Sequence, residues 1–198
     1  MQLSVLNPIS YDFHFQFAKI RQKKFIIGKY YDIIIINREI IGGTGMTKRE
    51  ELDLFMERAQ DLINAKFIVA EVKIAGLLKS IAASDTLLAL FKNFLKDFDY
   101  EKAKKTYLVK NKYLPGDKGE FVLPSNARDL LAFIFTVLFE IDSQKVTLGE
   151  FINKYFFEDG SYSSGYSAFV TAMIKPFKNS VKMLMESVMD GKLQDPVE

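Results

Sequence analysis

Aromatic and polar residues alternate near the start of the chain, a pattern typical of a β-strand with one buried face. The rings of this row belong to Tyr11, Phe13, Phe15 and Phe17, which are separated by single polar residues. Because successive side chains of a strand point to opposite faces, the four rings would share one face. The β-branched run Ile33–Ile36 favours a further strand. The pattern therefore predicts a small N-terminal antiparallel sheet.

From Thr47 onwards the spacing of apolar residues becomes helical. Thr47 and Glu50 match the capping box, in which the Thr hydroxyl and the Glu carboxylate each satisfy a free backbone N–H group. Thr147 and Glu150 repeat this match one hundred residues later. We therefore expect a helix to begin just after each Thr. The first helical stretch is either one long helix or two helices with a bend near Ala65.

Further cap residues mark other helix ends. Ser84 offers an N-cap in the middle of the helical region, and either Ser125 or Asn126 offers one for the helix that follows. Pro176 removes one hydrogen bond from the last helix and is expected to kink it. Gly191 is placed to end that helix, because glycine readily adopts the left-handed conformation that a C-terminal cap requires.

The most apolar segment of the chain is Leu130–Ile141, which we predict to be a buried helix. It is too short to cross a membrane, since a spanning helix needs about 20 apolar residues. Residues 110–124 contain two Pro and two Gly and are predicted to form a loop. The expected fold is a predominantly helical α+β fold, with the small N-terminal sheet followed by five or six packed helices. The β-rich segment 1–46 would pack with the helical part 47–198 as one domain.

Composition narrows the chemistry that the chain can perform. Of 198 residues 48% are hydrophobic, and 27 basic against 25 acidic residues give a net charge of +2, which excludes a disordered chain. The absence of Cys excludes disulfides and thiolate chemistry, and His14 alone cannot build a His-rich metal site. We expect no metal and no cofactor, and an enzyme is less favoured than a non-enzyme. No secretory segment is visible, so a cytoplasmic protein is expected.

A glycine-rich stretch before the Thr47 helix is the most suggestive candidate for a ligand site. Free N–H groups at a helix start can hold an anion, and two cations follow the glycines. The candidate anion-binding residues are Gly43, Thr44, Gly45, Lys48 and Arg49. The stretch matches neither the dinucleotide fingerprint nor the P-loop. The first alternative function is therefore a binding module or enzyme for a phosphorylated small molecule, set against the simpler interpretation of a flexible connector.

A basic island over residues 19–29 suggests a second alternative. Its cations stand beside Phe25, Tyr30 and Tyr31, and such interleaving can bind single-stranded nucleic acid through stacking and phosphate contacts. The near-neutral total charge and the small number of Arg residues argue against a nucleic-acid partner by the usual electrostatic criteria.

The last helix carries more apolar residues than one buried stripe needs. With Phe169 and Met173 turned inward, Met185 and Met189 are expected nearer the surface, beside Tyr155 of the preceding helix. Met adapts to irregular partners and is common at binding surfaces. The leading hypothesis is therefore a non-enzymatic interaction or scaffold protein that forms a homo-oligomer or binds a protein partner.

Overall fold

The computed structural model describes residues 45–110, 118–156 and 161–197. These residues belong to a single compact unit, Thr44–Glu198. The elements in chain order are helix α1 (Lys48–Asn64), a 3-10 turn (Phe67–Val69), α2 (Ala70–Ala83), α3 (Asp85–Leu95), α4 (Tyr100–Tyr107), strands β1 (Leu108–Lys110) and β2 (Gly119–Phe121), α5 (Ala127–Asp142), α6 (Leu148–Tyr155), α7 (Tyr162–Phe169), a π-helical segment (Val170–Ile174) and α8 (Lys175–Met189).

Both predicted capping boxes are present. In the first, the Glu50 N–H donates to Thr47 Oγ1 at 3.3 Å, and the Thr47 N–H donates to Glu50 Oε2 at 2.7 Å. Thr147 and Glu150 make the same pair of bonds at 3.1 and 2.9 Å. The first helix ends at an extended Ala65, so the helical stretch that follows Thr47 is two helices rather than one.

The other predicted caps are also confirmed. The Ser84 hydroxyl accepts a hydrogen bond from the Leu87 N–H at 3.0 Å and begins α3. Asn126, rather than Ser125, begins α5 by accepting from the Asp129 N–H at 2.8 Å. Gly191 follows α8 with a φ of +68°, in the left-handed region where glycine is preferred.

The sheet of the described region lies in the middle of the chain. Strands β1 and β2 pair antiparallel, with Leu108 opposite Phe121 and Lys110 opposite Gly119. A Cβ atom on Gly119 would lie only 2.7 Å from the Val109 carbonyl oxygen, so this position requires glycine. The prediction of a loop throughout 110–124 is therefore wrong at Lys110, which ends β1, and over Gly119–Phe121, which forms β2.

The predominantly helical α+β fold is confirmed, although its details differ from the prediction. The described ranges contain eight α-helical segments instead of five or six, because α4 and α7 are additional short helices. The predicted N-terminal sheet lies outside the described residues. The packing of segment 1–46 with the helical part also stays a prediction.

Helix α5 forms the centre of the core, as its composition predicts. Nine of its residues are buried, and no residue between Leu130 and Ile141 is exposed. The Phe135 ring stacks on Phe91 of α3 with centroids 4.6 Å apart. Phe91 in turn lies 5.9 Å from the ring of Phe177 in α8. The core therefore joins helices that are far apart in the sequence.

The last helical stretch is interrupted where Pro176 predicts an irregularity. Residues 170–174 form a π-helical turn, in which the Lys175 N–H donates to the Val170 carbonyl five residues earlier. Pro176 has no N–H group, so the regular ladder cannot continue through it. The wider turn carries the chain directly into α8.

Among the described residues, no single helix combines the length and apolar composition that crossing a membrane requires. The segments Phe67–Ala83 and Asp85–Leu95 meet both criteria only when taken together, and they are bent by 99° relative to each other.

Candidate functional site

The predicted anion site begins outside the described residues, which include neither Gly43 nor Thr44. Gly45 is described and has a φ of +56°, where glycine is favoured. At the start of α1, the Thr47 N–H is taken by the Glu50 carboxylate. That backbone hydrogen bond lowers the pKa of Glu50, with the Thr47 hydroxyl as the second contribution. A negative charge belonging to the chain itself thus lies where the anion was expected.

The two cations of this site already have acidic partners. Lys48 forms an ion pair with Asp195, which belongs to the segment after α8, and Arg49 Nε lies 3.3 Å from Asp53 Oδ1. The hydrogen bond from Lys48 is the largest of the effects that lower the pKa of Asp195. An incoming phosphate would have to compete with these carboxylates for the same cations.

The predicted surface on the last helix is not formed as expected. Met185 is 0% exposed and lies in the core, so its placement near the surface is wrong. The reason is that side chains four apart share a helix face, and Met185 continues the buried row of Phe177 and Val181. Met189 and Tyr155 are half-buried. Because Met185 is enclosed, the three residues do not form one exposed surface.

A different apolar surface is exposed at the start of α2. Ile68 is 87% exposed and Val72 is 73% exposed, and Val69 between them is also exposed. Within α2, helical spacing places Gly76 and Lys79 on the same side as Val72, and Ile68 and Val69 precede them in the 3-10 turn. We name these residues the α2 outer face, defined as Ile68, Val69, Val72, Gly76 and Lys79.

The opposite side of α2 explains why this face was missed. Its fully buried residues are Ala70, Ile74, Leu77 and Ile81, which recur at helical spacing. In the sequence, Val69, Val72 and Leu77 stand together in one apolar run that spans 67–81. A stricter use of the 3.6-residue period separates the two rows and would have shown that the valines cannot share the buried row.

The residues that flank the α2 outer face are held by contacts with other helices. The Phe67 ring, directly before Ile68, stacks on Tyr162 with centroids 4.9 Å apart. On one side of the face, Glu71 accepts a hydrogen bond from the Leu148 N–H at 2.9 Å. On the other side, Lys73 Nζ lies 3.0 Å from Asp61 Oδ2. The charged neighbours are thus directed away from the apolar side chains, which remain exposed on a fixed support.

A polar cleft of about 300 Å³ lies between α4 and the start of α5. Inside it, the Tyr107 hydroxyl donates to Asp129 Oδ2 at 3.1 Å, and Asn126 donates to the same oxygen at 2.8 Å. Burial, followed by the bond to Asp129, raises the pKa of Tyr107. The cleft mixes acidic and basic side chains, and the described residues contain no group of three potential metal ligands. Its lining residues are Asp97, Phe98, Asp99, Lys102, Ala103, Thr106, Tyr107, Arg128 and Asp129.

The buried carboxylate of Glu51 has a structural explanation. It accepts hydrogen bonds from the Asp85 N–H at 2.8 Å and from the Thr86 N–H at 3.3 Å. These donors belong to the first turn of α3, where N–H groups have no partner within the helix. Glu51 therefore serves as a cap for a helix 34 residues away.

A second carboxylate, that of Glu140, is half-buried and connects α5 with α4 and with the loop after α5. It accepts from the Tyr100 hydroxyl at 2.7 Å and lies 3.4 Å from Lys104 and 3.6 Å from Lys145. Burial is the main cause that raises the pKa of Tyr100, and the charge of Glu140 adds to it. With these three partners, the carboxylate fits a structural tie better than an acid–base catalyst.

No protein-family model matches this chain, and no curated protein or solved structure matches it. The proposal for its function accordingly rests on its own residues and their arrangement.

Proposed function

We propose that this protein is a non-enzymatic interaction protein that self-associates. The observation that carries the proposal is the exposure of Ile68 and Val72 on the α2 outer face. Isolated apolar residues are normal on protein surfaces, whereas contiguous apolar patches tend to mark contacts. Here three exposed β-branched aliphatic residues stand within five positions of the chain, two in the 3-10 turn and one in the first turn of α2.

The rigidity of the support strengthens this proposal. Phe67 is held by Tyr162, and the Tyr166 ring lies against its edge, with centroids 6.4 Å apart. The Tyr166 hydroxyl is itself bonded to the Leu62 carbonyl at 2.5 Å. A surface that is already ordered loses little conformational entropy on binding, which favours association.

The two alternative functions receive less support. For a phosphorylated ligand, Lys48 and Arg49 are already paired with carboxylates, and Glu50 occupies the helix start. For a nucleic-acid partner, the basic island 19–29 lies outside the described residues. The interaction hypothesis is the one for which a described surface offers positive evidence.

The test is light scattering coupled to size-exclusion chromatography over a range of protein concentrations. We expect the wild type to shift from monomer towards dimer as its concentration rises through the micromolar range. The double variant Ile68→Glu and Val72→Glu should remain monomeric, because each carboxylate would have to lose its water on association.

Met183→Glu is the matched control. Met183 is 68% exposed, but the residues three and four positions away on α8 are polar, so it forms no patch. This variant should associate as the wild type does. A wild type that stays monomeric at every concentration, or a double variant that still dimerises, would contradict the proposal.

A further inference from the structure

Gly76 lies in the interior of α2, although the packing of the described residues does not require a glycine there. Glycine destabilises a helix interior, because it gains the most conformational freedom when the chain unfolds. At Gly119 and Gly165, a Cβ atom would come within 3 Å of a neighbouring atom, which explains those glycines. At Gly76, a Cβ atom would meet no atom of the described residues within 4 Å.

The position of Gly76 suggests what the glycine serves. It lies on the α2 outer face, one helical turn after the exposed Val72. A glycine on a helix surface lets a second backbone approach closely, as small residues do where helices pack tightly. The face therefore combines a protruding side chain and a shallow gap one turn apart.

We propose that a second copy of this chain packs its α2 antiparallel against the α2 outer face, with Val72 of each copy over Gly76 of the other. This inference rests on the self-association proposed above and names its surface and geometry. A twofold axis between the two positions makes both contacts at once, since a twofold interface uses the same patch on both copies. The protrusion of each copy then fills the gap of the other.

The charge on the face favours the antiparallel arrangement. Lys79 is the only charged member of the α2 outer face. It lies five residues beyond the midpoint between Val72 and Gly76, through which the twofold axis would pass. The lysines of the two copies would therefore lie on opposite sides of that axis, about ten residues or 15 Å apart along the helix at about 1.5 Å per residue. This separation exceeds the screening length of about 8 Å at physiological salt. A parallel pair would instead place the two lysines side by side.

The size of the face predicts a weak dimer. The 3-10 turn and α2 together span 17 residues, or roughly 25 Å of helix. One helix side of this length with three exposed aliphatic residues offers a few hundred Å² per copy, against about 800 Å² for a stable standard interface. We therefore expect dissociation in the micromolar range or above, so that the dimer appears only as concentration rises.

The first experiment fills the gap. Gly76→Leu should leave the monomer folded, because the space beside Gly76 is open, and it should weaken dimerisation at least tenfold in sedimentation equilibrium. Ser167→Leu, on the exposed side of α7, is the matched control and should not change association. If Gly76→Leu dimerises as the wild type does, the packing geometry is wrong while the proposed self-association stands.

The second experiment uses the absence of cysteine from the chain. Val72→Cys chains are mixed with Gly76→Cys chains and oxidised mildly. This mixture should form at least ten times as much intermolecular disulfide as Met183→Cys chains mixed with either of the two. Equal cross-linking in the two mixtures would overturn the antiparallel register. A wild type that is monomeric throughout would overturn both this inference and the proposed function.

A third arm separates a second copy from a lipid surface as the occupant. The wild type is sedimented with vesicles of neutral lipid alone and with vesicles that contain anionic lipid. We expect no binding to either. If the wild-type monomer binds vesicles and the double variant Ile68→Glu with Val72→Glu does not, a membrane occupies the face. That result would overturn the dimer.

Discussion

Helices α5 and α2 are both rich in apolar residues, yet they are buried to different extents. Around α5 the neighbouring elements leave no residue between Leu130 and Ile141 exposed, and most of these residues are buried. In α2 the row of Ala70, Ile74 and Leu77 is covered, whereas the α2 outer face is open in the described part of the chain. The comparison teaches that apolar composition indicates a tendency to be buried, while the arrangement of neighbours decides which sides are buried.

The largest expected difference between the two helices is in side-chain truncation. Phe135→Ala should lower the free energy of unfolding by about 3–5 kcal/mol, because it leaves a cavity beside Phe91 in the core. Val72→Ala should change it by no more than about 0.5 kcal/mol, as surface substitutions do. Urea denaturation at a concentration where the protein is monomeric measures both. A loss below about 1 kcal/mol for Phe135→Ala would show that α5 is not enclosed.

A smaller difference is expected between glycines on closed and open faces. A Cβ atom on Gly165 of α7 would lie 2.6 Å from Ile152 Cγ2 and 3.2 Å from the Phe156 carbonyl oxygen. Gly165→Ala should therefore cost about 1–3 kcal/mol by overpacking. Gly76→Ala should instead stabilise the monomer by about 0.5–1 kcal/mol, since alanine is the better helix former. Thermal unfolding of the dilute protein would contradict the comparison if both variants shifted in the same direction.

The smallest expected effect concerns the helix starts and depends on pH. Thr47 and Thr147 lower the pKa values of Glu50 and Glu150 below the ordinary value of 4.5 through backbone hydrogen bonds. A carboxyl whose pKa is lower in the folded chain stabilises that chain above the unfolded pKa, and this contribution is lost as the pH falls through the folded pKa. The double variant Glu50→Gln and Glu150→Gln should therefore lose less stability than the wild type between pH 6 and pH 3.

Urea midpoints at the two pH values measure this difference. Asp53→Asn with Glu57→Gln serves as the control, because these carboxylates are exposed on α1 outside the capping boxes. Equal acid sensitivity in the wild type and in the capping variant would show that the capping bonds do not lower the pKa values as described.

Features governed by neighbours in the sequence could be predicted from the sequence. The capping boxes, the Ser84 and Asn126 caps and the C-terminal Gly191 each depend on a few adjacent residues. Helix α5 could be predicted because a segment that is apolar all round must be enclosed. In each case the local pattern admits one favourable structure.

Features governed by distant contacts could not be predicted in this way. Strands β1 and β2 have three residues each, too few to show an alternation, and their pairing is decided across the chain. The burial of Met185 depends on which of several apolar rows of α8 meets the core. The 3.6-residue period of α2 separates its two apolar rows, but which row is covered depends on where the other helices lie.

The two carboxylates that cap helices from a distance have a consequence for how the chain unfolds. Glu51 joins α1 to the start of α3, and Glu71 joins α2 to the start of α6 across 77 residues. First-turn amides normally exchange their hydrogens early, because helix ends fray. The Leu148 amide is bonded to the Glu71 side chain of α2, so its exchange requires this bond to break as well as the helix start to fray. Hydrogen exchange at Leu148 therefore reports the lifetime of the bond between α2 and α6 rather than the fraying of α6 alone.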